Sequence, residues 1–471
     1  MTESNSNIAI QPISLSINEL QNIKKHIASL DWAVLLESAS AAHIDSRWTI
    51  ISAEPVANIL TYQGESIITQ GNESTYDCAD PLFLQQSMRQ KLFYNDLIDT
   101  DLPFTGGVLG YFSYELGHYF EKINNANKPS GLELPEMAIG FYDWALVIDH
   151  HKQQHYLVVH KHKGCNENLQ ILWQQRFDWL KALSLSIDLS ENFTLGSSWQ
   201  ANMSKSQYAE KFSKIQQYIL AGDCYQVNLA QRFQARYDGD EYQAYQALLA
   251  DNRPPFAAFL RLPEQVIISL SPERFIKLHH NIVETKPIKG TRPRFTDLAN
   301  DNKSKQALIN SEKDRSENLM IVDLLRNDIG KVCLPGSVSV PTLFEIESFP
   351  AVHHLVSTIV GQLDSAHSSE DLLRACFPGG SITGAPKIRA MEIIAELEPH
   401  KRQVYCGSIG YINGDGHSDT NIAIRTLLCH DHHIYCWAGG GLVADSNIDA
   451  EYQECFDKVS KILPCLRLLN K

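Results

Sequence analysis

Residues 377–399 read FPGGSITGAPKIRAMEIIAELEP. A glycine-rich turn runs into an amphipathic helix, and Pro386 falls where a first helical turn tolerates proline. Free backbone N–H groups at such a turn make an anion site. The spacing is not that of a nucleotide P-loop, because Gly384 is followed by Ala385, Pro386 and Lys387 rather than by Gly-Lys-Ser/Thr. A carboxylate is therefore the favoured ligand. On this segment alone, a purely structural strand-to-helix turn fits equally well.

Upstream, SPERFIKL (271–278) and IVETKPIKGTRPR (282–294) read as neighbouring strands joined at His280–Asn281. Pro287 restricts the backbone ahead of Lys289, and Gly290 permits close approach of a ligand. A lysine held there becomes a nucleophile if burial lowers its pKa. Taken singly, Lys289 reads as a surface lysine at a strand end and Glu273 as a solvated strand residue.

Two helices present paired acids. SEKDRSENLMIVDLLRNDIGK (311–331) carries Asp314 and Glu317 on one face, and AEYQECFDKVSKIL (450–463) carries Glu451 and Glu454, with Lys458 four residues on. Together they suit one Mg²⁺, which takes a few carboxylate oxygens and keeps waters or substrate oxygens. Each pair alone reads as ordinary first-turn electrostatics. In WAGGGLVADS (437–446), Gly439, Gly440 and Gly441 either admit a ligand to the backbone or form a bulge. His353 and His354 flank a core strand without metal-ligand spacing, and Arg425 lies in the apolar run NIAIRTLL, where it calls for a carboxylate from protein or substrate.

Composition sets the frame. The chain has 471 residues, 44% hydrophobic and 20% charged, room for more than one ordinary domain. A formal net charge of −14 argues against nucleic-acid or anionic-membrane binding, which needs a basic surface, but leaves room for an anionic substrate met by local cations. Ten cysteines without a C-x-x-C pair read as reduced thiols in a cytoplasmic protein. No signal-peptide pattern opens the chain, and no apolar run is long enough to span a membrane.

Strand character recurs at 32–36, 104–112, 144–149 and 155–160, with a helical stretch near 168–184. The polar, serine-rich segment 183–199 reads as a linker between an N-terminal region (1–190) and a catalytic domain (200–468). After it, Phe212, Ile215, Tyr218 and Ile219 recur at helical spacing, with Gly222 as a stop signal.

The strings PIKGTRPR, ENLMIVDLLRND, VHHLVS, PGGSITGAPKIRAMEII, GSIGY, AIRTLL, AGGGLVADS and EYQECFDK, in this order across residues 204–465, resemble the chorismate-utilising enzymes. That family includes anthranilate, aminodeoxychorismate, isochorismate and salicylate synthases. GDCYQVNLAQRF (222–233), LLES (35–38) and GGVLGYFSYE (106–115) resemble its amidating branch. The resemblance implies an α/β (α+β) fold, with large β-sheets packed against helices around a deep active site. It also implies chorismate and ammonia as substrates and Mg²⁺ as cofactor. By motif, Glu317 and Glu454 would be the principal metal ligands, supported by Asp314 and Glu451. Gly290, Thr291, Ser381, Gly439, Gly440, Gly441 and Lys458 would line the site. Tyr411 and Arg425 would bind the enolpyruvyl carboxylate, with His354 close to the ring.

Anthranilate synthases carry alanine where this chain has Lys289, whereas aminodeoxychorismate synthases of the lysine type carry lysine. The resemblance thus implies amination at C4 through a lysine-bound intermediate, with Glu273 as proton donor and acceptor. Anthranilate synthase component I is the alternative. The water-using synthases generally lack the long N-terminal half, and the retained lysine and acids argue against an inactive binding subunit. No glutaminase motif or lyase extension is recognisable, so the expected partner is a glutamine amidotransferase subunit in a heterodimer. Cys455 stands beside Glu454 where a hydroxyl residue is usual. LLES also matches a tryptophan pocket of feedback-inhibited relatives, with Ser38 and Arg47 as candidates; the reading favoured is a structural remnant.

Overall fold

A computed structural model describes residues 6–38, 45–96, 98–123, 132–185, 191–349 and 352–469. Among them the chain builds a thirteen-stranded and a twelve-stranded sheet, and every strand pairing is antiparallel. The expected mixed fold, large sheets packed against helices around a deep site, is what the chain adopts.

Burial explains the strand patterns. Gly107–Phe112, Met137–Tyr142 and Trp144–Asp149 are buried at every position, as nearly continuous apolar runs require. At the rim of the second sheet, Glu73–Asp77 is exposed throughout, and its polar ESTYD sequence blunts that edge. The helix Lys205–Leu220 begins in a capping box between Ser204 and Gln207. It buries Phe212 and Ile215, while Tyr218 and Ile219 pack partly against the core, and Gly222 follows with φ +81°.

Both sheets run through the expected boundary near residue 190. Ala33–Glu37 pairs with Phe256–Leu262, and Gly107–Phe112 pairs with Ser408–Asn413. The two halves thus share their sheets rather than each closing a sheet of its own. Of the expected linker, 183–185 belong to the end of the helix Leu169–Ser184 and its cap, 186–190 lie outside the described residues, and Thr194–Leu195 is already a strand.

The site grows from a defect in the second sheet. The hairpin Arg274–His279 and Ile282–Thr285 turns at His280 and Asn281, with φ +49° and +59°, the backbone a tight hairpin turn demands. The strand expected over 282–294 divides into Ile282–Thr285 and Ile288–Pro293, both pairing with Val352–Gln362. Pro287 supplies no N–H, and the register shifts between Ile288 and Thr291. Inside that irregularity Gly290 has φ +79°, and a Cβ there would come within 2.8 Å of Leu308 and 2.9 Å of Asp314. Glycine is needed on both counts.

Candidate active site

The irregular segment opens onto a cavity of about 540 Å³ whose wall includes Lys289, Gly290 and Thr291. Lys289 Nζ donates to the Ser381 carbonyl at 3.0 Å. Burial holds its amine below the ordinary lysine range, opposed chiefly by Glu273 and Glu317. Glu273, 6% exposed, comes from the turn before Arg274–His279, and its Oε1 accepts the Ser381 hydroxyl at 3.0 Å. Burial holds its carboxyl above the usual range, with Lys289, the Ser381 hydroxyl and the Ile288 amide pulling down.

Ser381 belongs to the single turn Gly380–Ile382, which the glycine-rich sequence makes before the helix Lys387–Leu397. Pro386 is the N-cap rather than the first helical residue. Ser381 and Ile382 line the cavity, whereas residues 384–389 do not. On this segment the wall is therefore the glycine turn, and the first turn of the following helix is not part of it. Lys387 instead turns inward, to Asp328 at 2.5 Å and the Cys376 carbonyl at 2.8 Å.

Both acidic helices, Glu312–Gly330 and Ile448–Val459, deliver their carboxylates to this cavity. Asp314 is tied to Arg292 at 2.9 Å and Glu454 to Lys458 at 2.7 Å, while Glu317 lies 3.9 Å from Lys313. Burial raises the pKa of Glu317 and Glu451, and neighbouring carboxylates add to it, Asp314 and Glu451 on Glu317 and Glu454 on Glu451. Glu451 Oε1 accepts the Ser446 hydroxyl at 2.7 Å, but its buried Oε2 has no hydrogen-bond partner among the described residues. Gly440 on the strand His433–Leu442 leaves room for these acids, since a Cβ there would sit 3.0 Å from Glu451 Oε2 and 3.1 Å from Glu454 Oε1. Among the described residues no three such ligands are close enough to cage an ion. An orphan buried carboxylate oxygen beside mutually repelling acids fits a hard cation that completes its shell with waters or substrate.

The remaining wall suits an anion. Arg425, at φ +52°, lines the cavity; its carbonyl accepts the Leu270 amide at 3.0 Å, while its guanidinium makes no hydrogen bond or ion pair among the described residues. Its guanidinium is held below the arginine range by burial, with Glu273 opposing. His354, 3% exposed, shares a 2.8 Å hydrogen bond between Nδ1 and the Thr291 hydroxyl. His353 points the other way, to Ser348 and Asp301. Lys458 donates to the Gly439 carbonyl at 2.7 Å, and Gly439 and Gly441 form part of the wall.

Of the residues expected at the substrate, Gly440 is not part of the wall and Tyr411 lies elsewhere; Ser38 and Arg47 were expected in a separate pocket. Tyr411 lines a separate cavity of about 370 Å³, together with Ser38 and Arg47. There Arg47 Nη2 meets Asp149 at 2.8 Å and the Ser38 hydroxyl meets the Pro255 carbonyl at 3.0 Å. Tyr411 is thus not brought to Arg425. Tyr405 is, six residues earlier, and it lines the site cavity beside Trp437. Strand phase explains the miss: the tyrosine of GSIGY lies on the strand Ser408–Asn413, which carries its side chain to the other cavity. Gln226 and Asn228 also line the site and were not singled out. Gln226 Oε1 is buried without a partner among the described residues, and its position in QVNLAQRF was the available signal.

Residues 33–464 match the family described as chorismate binding enzyme. The chain is 51% identical to aminodeoxychorismate synthase component 1 of Escherichia coli K12 over 437 residues, 93% of this chain and 94% of that one. It is 34% identical to anthranilate synthase component 1 of Acetivibrio thermocellus over 446 residues, covering 92% and 89%. The crystal structure of anthranilate synthase component I from Streptococcus pneumoniae superposes with a TM-score of 0.77 at 30% identity, over 89% of this chain and 93% of that one.

Proposed function

Because the chain belongs to the chorismate-binding enzyme family, we propose that it is the chorismate-aminating subunit of an aminodeoxychorismate synthase. It would convert chorismate and ammonia to 4-amino-4-deoxychorismate, for 4-aminobenzoate and folate synthesis. The observation that carries this reading is the Lys289 amine inside the cavity, linked through Ser381 to the buried acid Glu273. The relatives at 51% identity support it.

In this reading the neutral Lys289 amine attacks C2 of chorismate. Both ring double bonds shift, C1=C2 to C1=C6 and C5=C6 to C4=C5, the C4–O bond breaks, and Glu273 donates the proton with which the hydroxyl leaves as water. Ammonia then attacks C4, both double bonds shift back to C5=C6 and C1=C2, and Lys289 leaves C2 as a neutral amine. The incoming nitrogen gives its extra proton to the Glu273 carboxylate, which restores the starting state. Arg425 and Tyr405 would receive the enolpyruvyl carboxylate, and Ser381, His354 and the wall glycines would orient the ring. Mg²⁺ would be held by Glu317 and Glu454, with Asp314 and Glu451 in support, and supplies positive charge for the ring carboxylate. The unpaired Arg425 supports an anionic substrate.

We further infer a glutamine amidotransferase subunit as the ammonia source, in keeping with the name component 1 of the relatives, and a cytoplasmic location. No helix among the described residues is long and apolar enough to cross a membrane. Ser38 and Arg47 stay candidates for a tryptophan pocket in the second cavity. Anthranilate synthase component I is the competing reading, supported by the 34% relative; Lys289 speaks against it.

The test is the product formed from chorismate, Mg²⁺ and ammonium, identified by mass and ultraviolet spectrum. Aminodeoxychorismate is expected, and none from glutamine with the purified chain alone. Anthranilate as the main product would replace this reading with the competing one.

A further inference from the structure

Next to the cavity lies an ion pair that touches its lining residues without itself lining the hollow. Glu398 caps the end of the helix Lys387–Leu397, and Arg402 follows four residues later; they are 4% and 1% exposed. Their pairing is two-pronged, Arg402 Nε to Glu398 Oε2 at 2.9 Å and Nη2 to Oε1 at 2.6 Å. We propose that this pair is the positioning element of the catalytic cavity, holding the Ser381–Ile382 turn where its carbonyl meets Lys289.

The argument rests on where the remaining hydrogen bonds go. Arg402 Nη1 donates to the Ile382 carbonyl at 3.0 Å, and Nη2 also reaches the Asn228 backbone and side-chain oxygens at 3.2 and 3.4 Å. Glu398 Oε1 additionally accepts the Ala230 amide at 2.8 Å, opposite Gly439 in the sheet register. The guanidinium lies 5.8 Å from the Tyr405 ring. Ile382, Asn228, Gly439 and Tyr405 all line the cavity. One buried pair therefore ties together the glycine turn, the long strand Gln226–Asp238 and the turn carrying Tyr405.

Geometry makes the link to Lys289 direct. The carbonyl of Ser381 accepts the lysine and the carbonyl of the next residue accepts the arginine. Fixing one peptide of a single helical turn fixes its neighbour, because only two soft torsions separate them. The pair is itself anchored from the first half of the chain. The Arg402 amide donates to Glu115 Oε1 at 2.8 Å, and Gln403 accepts the Tyr114 amide at 2.9 Å. A lysine at 402 would keep the charge but could not reach the carboxylate, Ile382 and Asn228 together. Buried ion pairs are weak evidence for stability as such, so the role is better sought in the cavity they organise.

This inference rests on the proposed role of Lys289 as a free amine, and its test separates the two. In the substrate-free protein, Lys289 is labelled with acetic anhydride across a pH series and quantified by peptide mass spectrometry. Its titration midpoint is compared among wild type, Arg402→Lys and Glu398→Gln. A hydrogen bond to the charged form favours that form. Loosening the Ser381 carbonyl is therefore expected to move the midpoint down by about half a pH unit. In turnover with ammonium, kcat should fall about tenfold or more, with a smaller change in KM for chorismate. Arg89→Lys is the control, since Arg89 pairs with Glu370 at 2.9 Å, equally buried and away from this cavity. It should lower the unfolding midpoint without moving the Lys289 titration. The proposal is overturned if both variants fold and keep the wild-type titration and kcat, or if neither folds, which assigns the pair to stability alone. If Arg402→Lys alone fails to fold, Glu398→Gln decides. Wild type that does not aminate chorismate overturns the functional reading instead, while the titration still reports on positioning.

Discussion

Lys289 and Glu273 are joined through one residue: the Ser381 carbonyl accepts the lysine at 3.0 Å, and the Ser381 hydroxyl donates to the glutamate at 3.0 Å. The proposed nucleophile and proton donor are thus both held by one turn. Burial acts on both in the direction the chemistry needs, favouring a neutral amine and a neutral acid.

Lys289→Ala should remove most amination, leaving only what direct attack of ammonia provides. Lys289→Arg keeps the charge without a usable nucleophile and should be at least as inactive, a loss of about 100-fold or more. Intact-protein mass spectrometry of wild type with chorismate and Mg²⁺, without ammonia, should show an adduct of chorismate less one water, mapping to Lys289. No adduct, together with near-normal turnover of the arginine variant, leaves lysine an electrostatic role only.

Adduct formation requires Lys289 uncharged and Glu273 protonated, so its rate against pH should be bell-shaped. Glu273→Gln cannot supply the proton and should be slower by at least about 100-fold. Whatever rate remains should rise through the lysine titration and not fall again. Rapid-quench mass spectrometry across pH reads this directly, and a surviving alkaline fall in the variant would assign it to another group.

Glu317→Gln and Glu454→Gln should each lower turnover about 100-fold or more while leaving circular dichroism unchanged, because each removes a proposed metal ligand and would misplace the substrate carboxylate. Calorimetric titration with Mg²⁺ should show weakened binding in both. Full wild-type activity in EDTA would sink the assignment.

Glu115 gives a stability signature. Burial raises its pKa from 4.5 to about 7, with the Arg402 amide opposing. The folded state therefore holds a proton that the unfolded chain has released between these values. Its contribution is complete below about pH 4.5 and declines as pH rises through about 7, by on the order of 3 kcal/mol. Glu115→Gln, which mimics the protonated acid, should flatten this part of the profile in urea unfolding. An unchanged slope would show that Glu115 is not the titrating group.

Much of this was readable along the chain. The helices Glu312–Gly330 and Ile448–Val459 announce themselves by acidic starts and apolar periodicity, and the hairpin at His280–Asn281 by its turn residues. Local physics governs such features, so the sequence determined them alone, along with the family strings that contain Lys289, Arg425, Glu317, Glu451 and Glu454. Only the tertiary structure decided which of these share a cavity. Tyr411 and Tyr405 are six residues apart, yet they line different hollows, because Tyr405 sits in the turn before the strand Ser408–Asn413 and Tyr411 within that strand. The two halves share both sheets because Ala33–Glu37 and Gly107–Phe112 found partners more than 200 residues away, pairings that no local propensity encodes. Nothing in the sequence marks the Glu398–Arg402 pair, which lies past the end of the helix Lys387–Leu397 with Pro399 between its members. It gains its meaning only from the three segments that fold around it, because a buried guanidinium must place every N–H on some acceptor.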